Sequence, residues 1–270
     1  MNKNHAVFDS QMAKNYEQYL VPFIFEDYAQ DIAQRVSVHQ PKHVLETAAG
    51  TGVVTRHLHQ LLNEETMLTV TDLNPDMLDI ATSKFESSNR ITFEPADALD
   101  LPHDNDSFDV VVCQFGIMFF PDKLAGMKET ARVLKPKGKF VFSVWDALEK
   151  NLHVHTIVTK LMEFFPDNPP DFMNTPFGYH QVDEIRTELQ NAGFGKINVS
   201  VLPKDSVAPT TQDAVQGMLY SSPLALEIEE LMKGSTFDLN AELAKALAKN
   251  HGDNPTRAPL QAIAFEAHLV

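Results

Sequence analysis

Val44-Leu45-Glu46-Thr47-Ala48-Ala49-Gly50-Thr51-Gly52 decides how this chain is read. Its first residues predict a short apolar strand that ends near an acid. Small residues follow, and Val53-Val54-Thr55-Arg56-His57-Leu58 then opens a helix. A chain that passes from strand to helix across Ala-Ala-Gly-Thr-Gly must bend tightly, and only small residues let a ligand lie against such a backbone. The first helical turn also directs unpaired N–H groups at whatever sits there. The stretch is therefore read as a nucleotide-binding turn.

A dinucleotide fingerprint would require G-x-G-x-x-G, and in that register the chain offers Ala48, Gly50 and Val53. A phosphate-cradling loop would require G-K-[ST], a tripeptide that does not occur. The stretch instead resembles the first motif of the class I S-adenosylmethionine-dependent methyltransferases, an acid followed by G-x-G-x-G. Glu46 supplies the acid, and Ala48, Gly50 and Gly52 fill the glycine positions. Ala48 is the departure. Its methyl group is expected to be tolerated if φ is negative, with a tilted or more weakly bound donor as the alternative.

The resemblance continues downstream, over roughly residues 40–145. A second strand ends at Asp72-Leu73-Asn74-Pro75. An acid about 20 residues beyond the turn suits both ribose hydroxyls, although an acid there also suits a helix cap before Pro75. Leu73 and Met77 would flank the adenosine. Pro95-Ala96-Asp97-Ala98-Leu99 resembles the family's third cofactor motif, which implies that Asp97 accepts the adenine amino proton and that the Ala98 N–H meets a ring nitrogen. The apolar run Val110-Val111-Val112-Cys113 predicts a central parallel strand. Its end, Gln114 to Phe120, should face the methionine part of the donor, with Gln114 offering backbone or amide and Phe119 walling the transfer site. A packing role for Phe119 and Phe120 is equally open. Ala131-Arg132-Val133-Leu134-Lys135-Pro136-Lys137-Gly138 resembles the segment before the fifth strand of small-molecule methyltransferases, including the ubiquinone and menaquinone biosynthesis type.

Composition sets the outer limits. The chain has 270 residues, 43% of them hydrophobic, and a net charge of -15. Such acidity repels phosphate backbones, so a small molecule rather than nucleic acid is the expected partner. Cys113 is the single cysteine, which excludes an internal disulfide and fits a reducing compartment. The opening Met1-Asn2-Lys3-Asn4-His5 is polar and no apolar run reaches spanning length, so a cytoplasmic protein without a secretory signal or membrane span is expected.

The expected fold is α/β, a doubly wound, mostly parallel seven-stranded sheet whose last strand is antiparallel, with helical lid insertions. Residues 1–39 form a helical leader, 40–145 the cofactor-binding core, 146–180 an inserted lid, and 181–206 the continued core. A second helical insertion spans 207–257, and the final strand 258–270. Within the leader, Ile24, Tyr28, Ile32 and Val36 recur at helical spacing, and Pro22 separates them from a segment bearing Tyr16 and Tyr19. Those tyrosines are candidates for closing over the donor, or equally for packing on the core. Residues 146–180 carry an apolar face that includes Phe172, Met173, Pro176 and Phe177. Strands are also expected over 197–201 and 259–270.

The histidine pairs His57/His59 and His153/His155 diverge on a helix, share no metal and are read as surface residues; no metal site is expected. Should the acceptor need a general base, His153, His155, His180 and Tyr179 are the candidates, unranked. The resemblance implies transfer of a methyl group from S-adenosylmethionine to a small, partly apolar acceptor. A nonenzymatic cofactor-binding or scaffold module is the rival from another class, and a nicotinamide-dependent oxidoreductase the second.

Overall fold

The computed structural model describes residues 9–85 and 88–270; Phe8 and the polar opening of the chain lie outside the described residues. The leader comprises α1 (Ser10–Asn15), a π-helical segment (Tyr16–Phe25) and α2 (Glu26–Ser37). The alternating core follows as β1 (His43–Glu46), α3 (Val53–Leu61), β2 (Met67–Asp72), α4 (Pro75–Ser83), β3 (Ile91–Pro95), β4 (Phe108–Gln114), α5 (Lys123–Val133) and β5 (Leu134–Trp145). Beyond it come α6 (Leu152–Phe164), α7 (Asn174–Phe177), α8 (Val182–Asn191) and β6 (Phe194–Ala208). Last are α9 (Thr211–Tyr220), α10 (Leu224–Leu231), α11 (Leu239–His251) and β7 (Thr256–Leu269).

The strands form a seven-stranded sheet in the order β3-β2-β1-β4-β5-β7-β6. All neighbours are parallel except β7, which runs antiparallel to both β5 and β6. This is the doubly wound arrangement expected from the sequence. Strand order reverses between β1 and β4, which opens a crevice beyond their carboxyl ends. Val110, Val111, Val112 and Cys113 of β4 are fully buried because helices cover both faces of the sheet. The predicted stripe of α2 is also realised. Tyr28, Ile32 and Val36 are buried, and Ala29 and Ala33 between them let the helix lie close to the sheet.

Pro22 does not separate two helices. It lies inside a continuous helical leader, within the π-helical segment, where the Glu26 N–H reaches back five residues to the Val21 carbonyl. The wider turn relieves the ring's clash with the preceding carbonyls, so the proline re-pitches the helix without ending it. The last two strands exceed their expected lengths, because β6 and β7 pair from Phe194–Leu269 through to Ala208–Thr256. Pro203 is tolerated on the sheet's edge. Pro259 is tolerated because β5 pairs β7 only from Ala262 onward.

His153 is no surface residue. It is 1% exposed and bolts α6 to the ends of β6 and β7. Ser206 Oγ donates to the Ala258 carbonyl (3.1 Å), so its contact with His153 Nδ1 (2.6 Å) makes the imidazole the donor there. Nε2 then accepts from Thr256 Oγ1 (2.8 Å), which fixes the neutral tautomer. Burial, and the neighbouring His251 ring with its centroid 4.9 Å away, push the pKa down to about 3. An imidazole held neutral in the fold but free to protonate when unfolded stabilises the protein above the ordinary value of 6.5 and loses that contribution as pH falls. Urea unfolding should therefore show His153→Gln losing about 2 kcal/mol less stability than the parent chain between pH 7 and pH 5. Equal losses in the two proteins would assign the acid sensitivity to other groups.

Candidate functional site

The turn after β1 is pinned to the strands on both sides. The Thr47 N–H donates to the Val112 carbonyl (2.9 Å), and the Ala49 N–H to that of Thr71 (3.0 Å). The chain reverses through three left-handed residues, Ala48 (φ +52°), Gly50 (φ +57°) and Gly52 (φ +81°). Ala48 thus departs from the negative φ under which its methyl is tolerated, and it bears the cost of an L-residue in that region, about 1–2 kcal/mol. The two glycines have different tasks. Gly50 lines a cavity of about 450 Å³. Gly52 does not; a Cβ there would sit 3.0 Å from the Ala81 Cβ, so its bareness lets α3 pack on α4.

Asp72 ends β2 at the same cavity. One carboxylate oxygen accepts the Gly50 N–H (2.8 Å) and the other the Asn74 N–H (2.7 Å). Burial raises its pKa, and the two N–H bonds work against that rise. Glu46 lies behind the turn rather than on the cavity wall. It is 3% exposed, accepts the Thr55 hydroxyl (2.6 Å) and is pushed by burial up to about 8. Leu73, Asn74, Met77, Ala96, Asp97 and Ala98 continue the wall. Asp97 is at the rim, with Oδ1 accepting the Leu99 N–H (2.9 Å).

The leader covers this end of the crevice. Tyr16 lines the cavity and stacks on Phe25, ring centroids 5.1 Å apart; burial, and then the charges of Asp72 and Glu17, raise its pKa. Tyr19 does not line it. Its backbone lies against α9, where a Cβ on Gly217 would be 3.3 Å away. Lys84 Nζ straps the leader down, donating to Glu17 Oε1 (2.6 Å) and to the Thr51 carbonyl (2.7 Å).

The far wall is aromatic. Phe115, also left-handed (φ +54°), stacks on Trp145 at 3.8 Å and 11°. Phe25 and Phe177 extend the cluster, and Phe119 meets Phe172 at 6.1 Å. A bulky residue held at positive φ beside a ligand cavity is strain retained where the surroundings over-determine it. Among the described residues, two polar side-chain atoms of the lining residues are buried without a hydrogen-bond partner, Gln114 Oε1 and Ser222 Oγ.

None of the four base candidates reaches the cavity. His153 is in its polar bolt, His180 Nδ1 lies 2.9 Å from the Phe177 carbonyl, and the Tyr179 hydroxyl donates to Glu188. Among the described residues, the ionisable side chains on the lining are Tyr16, Asp72 and Asp97. No group of three or more His, Cys, Asp or Glu side chains able to hold a metal occurs among the described residues. Phe115 and Met118, inside the stretch from Gln114 to Phe120 expected to face the donor, line the site; Trp145, Met218 and Ser222 line it too, without a local signal in the sequence. Phe172, Met173, Pro176 and Phe177 had a signal in the apolar face of the insertion, but nothing local said where that face would land.

Residues 2–198 match the family model described as the ubiE/COQ5 methyltransferase family. Methyltransferase tpcH of Aspergillus fumigatus is 25% identical over 262 residues, 90% of this chain and 91% of that protein. A Staphylococcus aureus demethylmenaquinone methyltransferase is 30% identical over 211 residues, covering 73% of this chain and 86% of the relative. In fold, the chain is similar to a Haemonchus contortus phosphoethanolamine N-methyltransferase 2 solved with phosphomonomethylethanolamine and S-adenosylhomocysteine. That likeness has a TM-score of 0.62 at 16% identity, over 97% of this chain and 58% of the other. The chain belongs to the ubiE/COQ5 methyltransferase family and is a class I S-adenosylmethionine-dependent methyltransferase. The scaffold and oxidoreductase readings fall with that assignment. No described helix is long and apolar enough to cross a membrane.

The left-handed Ala48 has a partner. A Cβ built on Gly116 would collide with the Ala48 Cβ and come within 2.8 Å of Cys113 Sγ. Ala48→Gly should therefore stabilise the protein by up to about 1 kcal/mol in urea unfolding. Gly116→Ala should cost about 1–3 kcal/mol, and less when made in the Ala48→Gly background. Strictly additive effects would show that the two positions are not in contact.

Proposed function

We propose that the cavity holds S-adenosylmethionine along the carboxyl ends of β1, β2 and β4, and that the chain transfers its methyl group to a small, largely apolar acceptor by in-line displacement. The observation that carries this reading is the Asp72 carboxylate, fixed by the Gly50 and Asn74 N–H groups beside the switch point of the sheet. Each of its oxygens keeps a further lone pair for a ribose hydroxyl. Asp97 and the Ala98 N–H would meet the adenine, with Leu73 and Met77 flanking it. Gln114 Oε1, buried and unpartnered, suits the ammonium of the methionine part. Tyr16 closes the leader side and Phe119 walls the reacting end. Glu46 and Gly52 act through the turn, the first by holding Thr55 and the second by letting α4 approach. Tyr19 anchors the leader on α9.

The bound donor supplies a methyl group already activated by a sulfonium, so the protein needs no acid to expel the leaving group. What remains for these side chains is to align the acceptor and exclude water, which can supply roughly 7–11 kcal/mol of the barrier. Among the described residues, the part of the cavity away from Asp72 and Asp97 presents no histidine, lysine or carboxylate, which favours an acceptor that arrives with a reactive electron pair. Its aromatic and methionine wall suits an apolar ring. The S. aureus relative is named for demethylmenaquinone, an acceptor consistent with that wall.

Calorimetry with S-adenosylmethionine and S-adenosylhomocysteine tests the donor assignment. Micromolar binding is expected in the parent chain, with about a hundredfold loss in Asp72→Ala. Circular dichroism checks that the variant folds. Equal affinity in the two proteins would remove Asp72 from the ribose site.

A further inference from the structure

The cavity has two halves of unlike chemistry. The donor half, built by the strand ends, carries Asp72 and Asp97. The other half is assembled from residues that follow β4, from the end of β5 and from the two helical segments beyond. Met118, Trp145, Val154, Phe172, Phe177 and Met218 make it almost wholly apolar. Among the described residues, Ser222 is the one hydroxyl-bearing lining residue that comes from beyond the leader. It is 8% exposed, and its Oγ is buried without a hydrogen-bond partner.

A buried hydroxyl without a partner costs free energy that a ligand can return. Ser143 and Ser221 also bury unpartnered hydroxyls, but neither lines the cavity, so neither is offered to a ligand there. The position of Ser222 is also well braced. It lies two residues beyond α9, and Asn15 Nδ2 of the leader donates to the carbonyl of Tyr220, the last residue of that helix (3.0 Å). Gly217 packs α9 against Tyr19 on the same side, and Met218, four residues before Ser222, lines the cavity with it. The short connection between α9 and α10 that carries Ser222 is thus braced, and a recognition contact requires such support.

We propose that Ser222 is a specificity-determining residue of the acceptor site, hydrogen-bonding the one polar oxygen, a phenol or ring carbonyl, of an otherwise apolar aromatic acceptor. This rests on the placement of the donor given above. A site built to satisfy one hydrogen bond rejects the analogue that lacks it, because the protein's own polar atom is then left unpaired. A methylene-sized difference in the surrounding apolar wall discriminates far less.

The test uses 2-naphthol and 2-methylnaphthalene, which differ by hydroxyl against methyl, as probes in calorimetry of the full chain saturated with S-adenosylhomocysteine. The parent chain should bind 2-naphthol about tenfold more tightly than 2-methylnaphthalene. Ser222→Ala should abolish that preference by weakening 2-naphthol alone, and Ser222→Thr, which restores a hydroxyl, should recover part of it. Affinity for S-adenosylhomocysteine should not change in either variant. A preference that survives Ser222→Ala, an equal loss for both probes, or no binding of 2-naphthol by the parent chain would each overturn the proposal. Failure of the parent chain to bind S-adenosylhomocysteine is a separate result. It removes the donor reading, and a Ser222-dependent preference measured without that ligand would then stand by itself.

Discussion

The hydrogen bond from the Gly50 N–H to Asp72 is the constraint on which the site depends. It joins the turn after β1 to the end of β2, two strands already locked in parallel register from His43–Met67 to Glu46–Val70. With Thr47 tied to β4 and Ala49 to β2, the turn has no freedom to relax. The acid is held as firmly as the backbone that holds it. Its second oxygen accepts the Asn74 N–H, and the Asn74 side chain caps α4 by accepting the Met77 N–H. One short network therefore sets the bend of the chain, the start of a helix and the direction of a carboxylate. A ligand meeting this surface finds its polar groups already oriented, which lowers the ordering cost of binding.

What could be read from the residues was what local chemistry dictates. The β4 valines are apolar on both faces because both are covered, and that run needed no tertiary knowledge. The glycine turn and Asp72 belong to a spacing in which each residue type has one physical task. Misreadings came where distant parts of the chain decide. Pro22 is a helix breaker by itself, yet packing on both sides keeps the helix going through a π turn. His153 carries no local sign of burial; its partners Ser206 and Thr256 lie 53 and 103 residues away. The apolar face of the first insertion was visible, but its docking onto Phe119 and Trp145 depends on a crevice made by other elements.

Ala48 shows how a departure from a motif can be absorbed. Its methyl group, at a backbone angle that favours glycine, points where Gly116 lacks a side chain. The glycine that is missing from the first turn is in this sense present in the loop after β4. The exchange has a geometric consequence. The loop that carries Phe115 lies against the turn that carries Gly50, so the aromatic wall and the donor-side backbone are packed as one unit. Phe115 keeps its own unfavourable φ because Trp145, Phe25 and Tyr28 enclose its ring.

The charge of the crevice separates a sulfonium donor from a dinucleotide on grounds independent of any motif. Asp72 and Asp97 line it, Glu46 lies just behind it, and no lysine or arginine lines it among the described residues. Lys84, the cation nearest the turn by contact, is spent on Glu17 and the Thr51 carbonyl. A pyrophosphate brought to this wall would face carboxylates in a partly desolvated setting, where like-charge repulsion is strongest. A helix N-terminus offers only about half a positive charge to offset that. A donor carrying a sulfonium and an ammonium meets the opposite situation. It would lower the pKa values that burial has raised at Asp72 and Glu46, so that its arrival would stabilise their ionised forms. The acidity of the whole chain, net -15, adds to the same field.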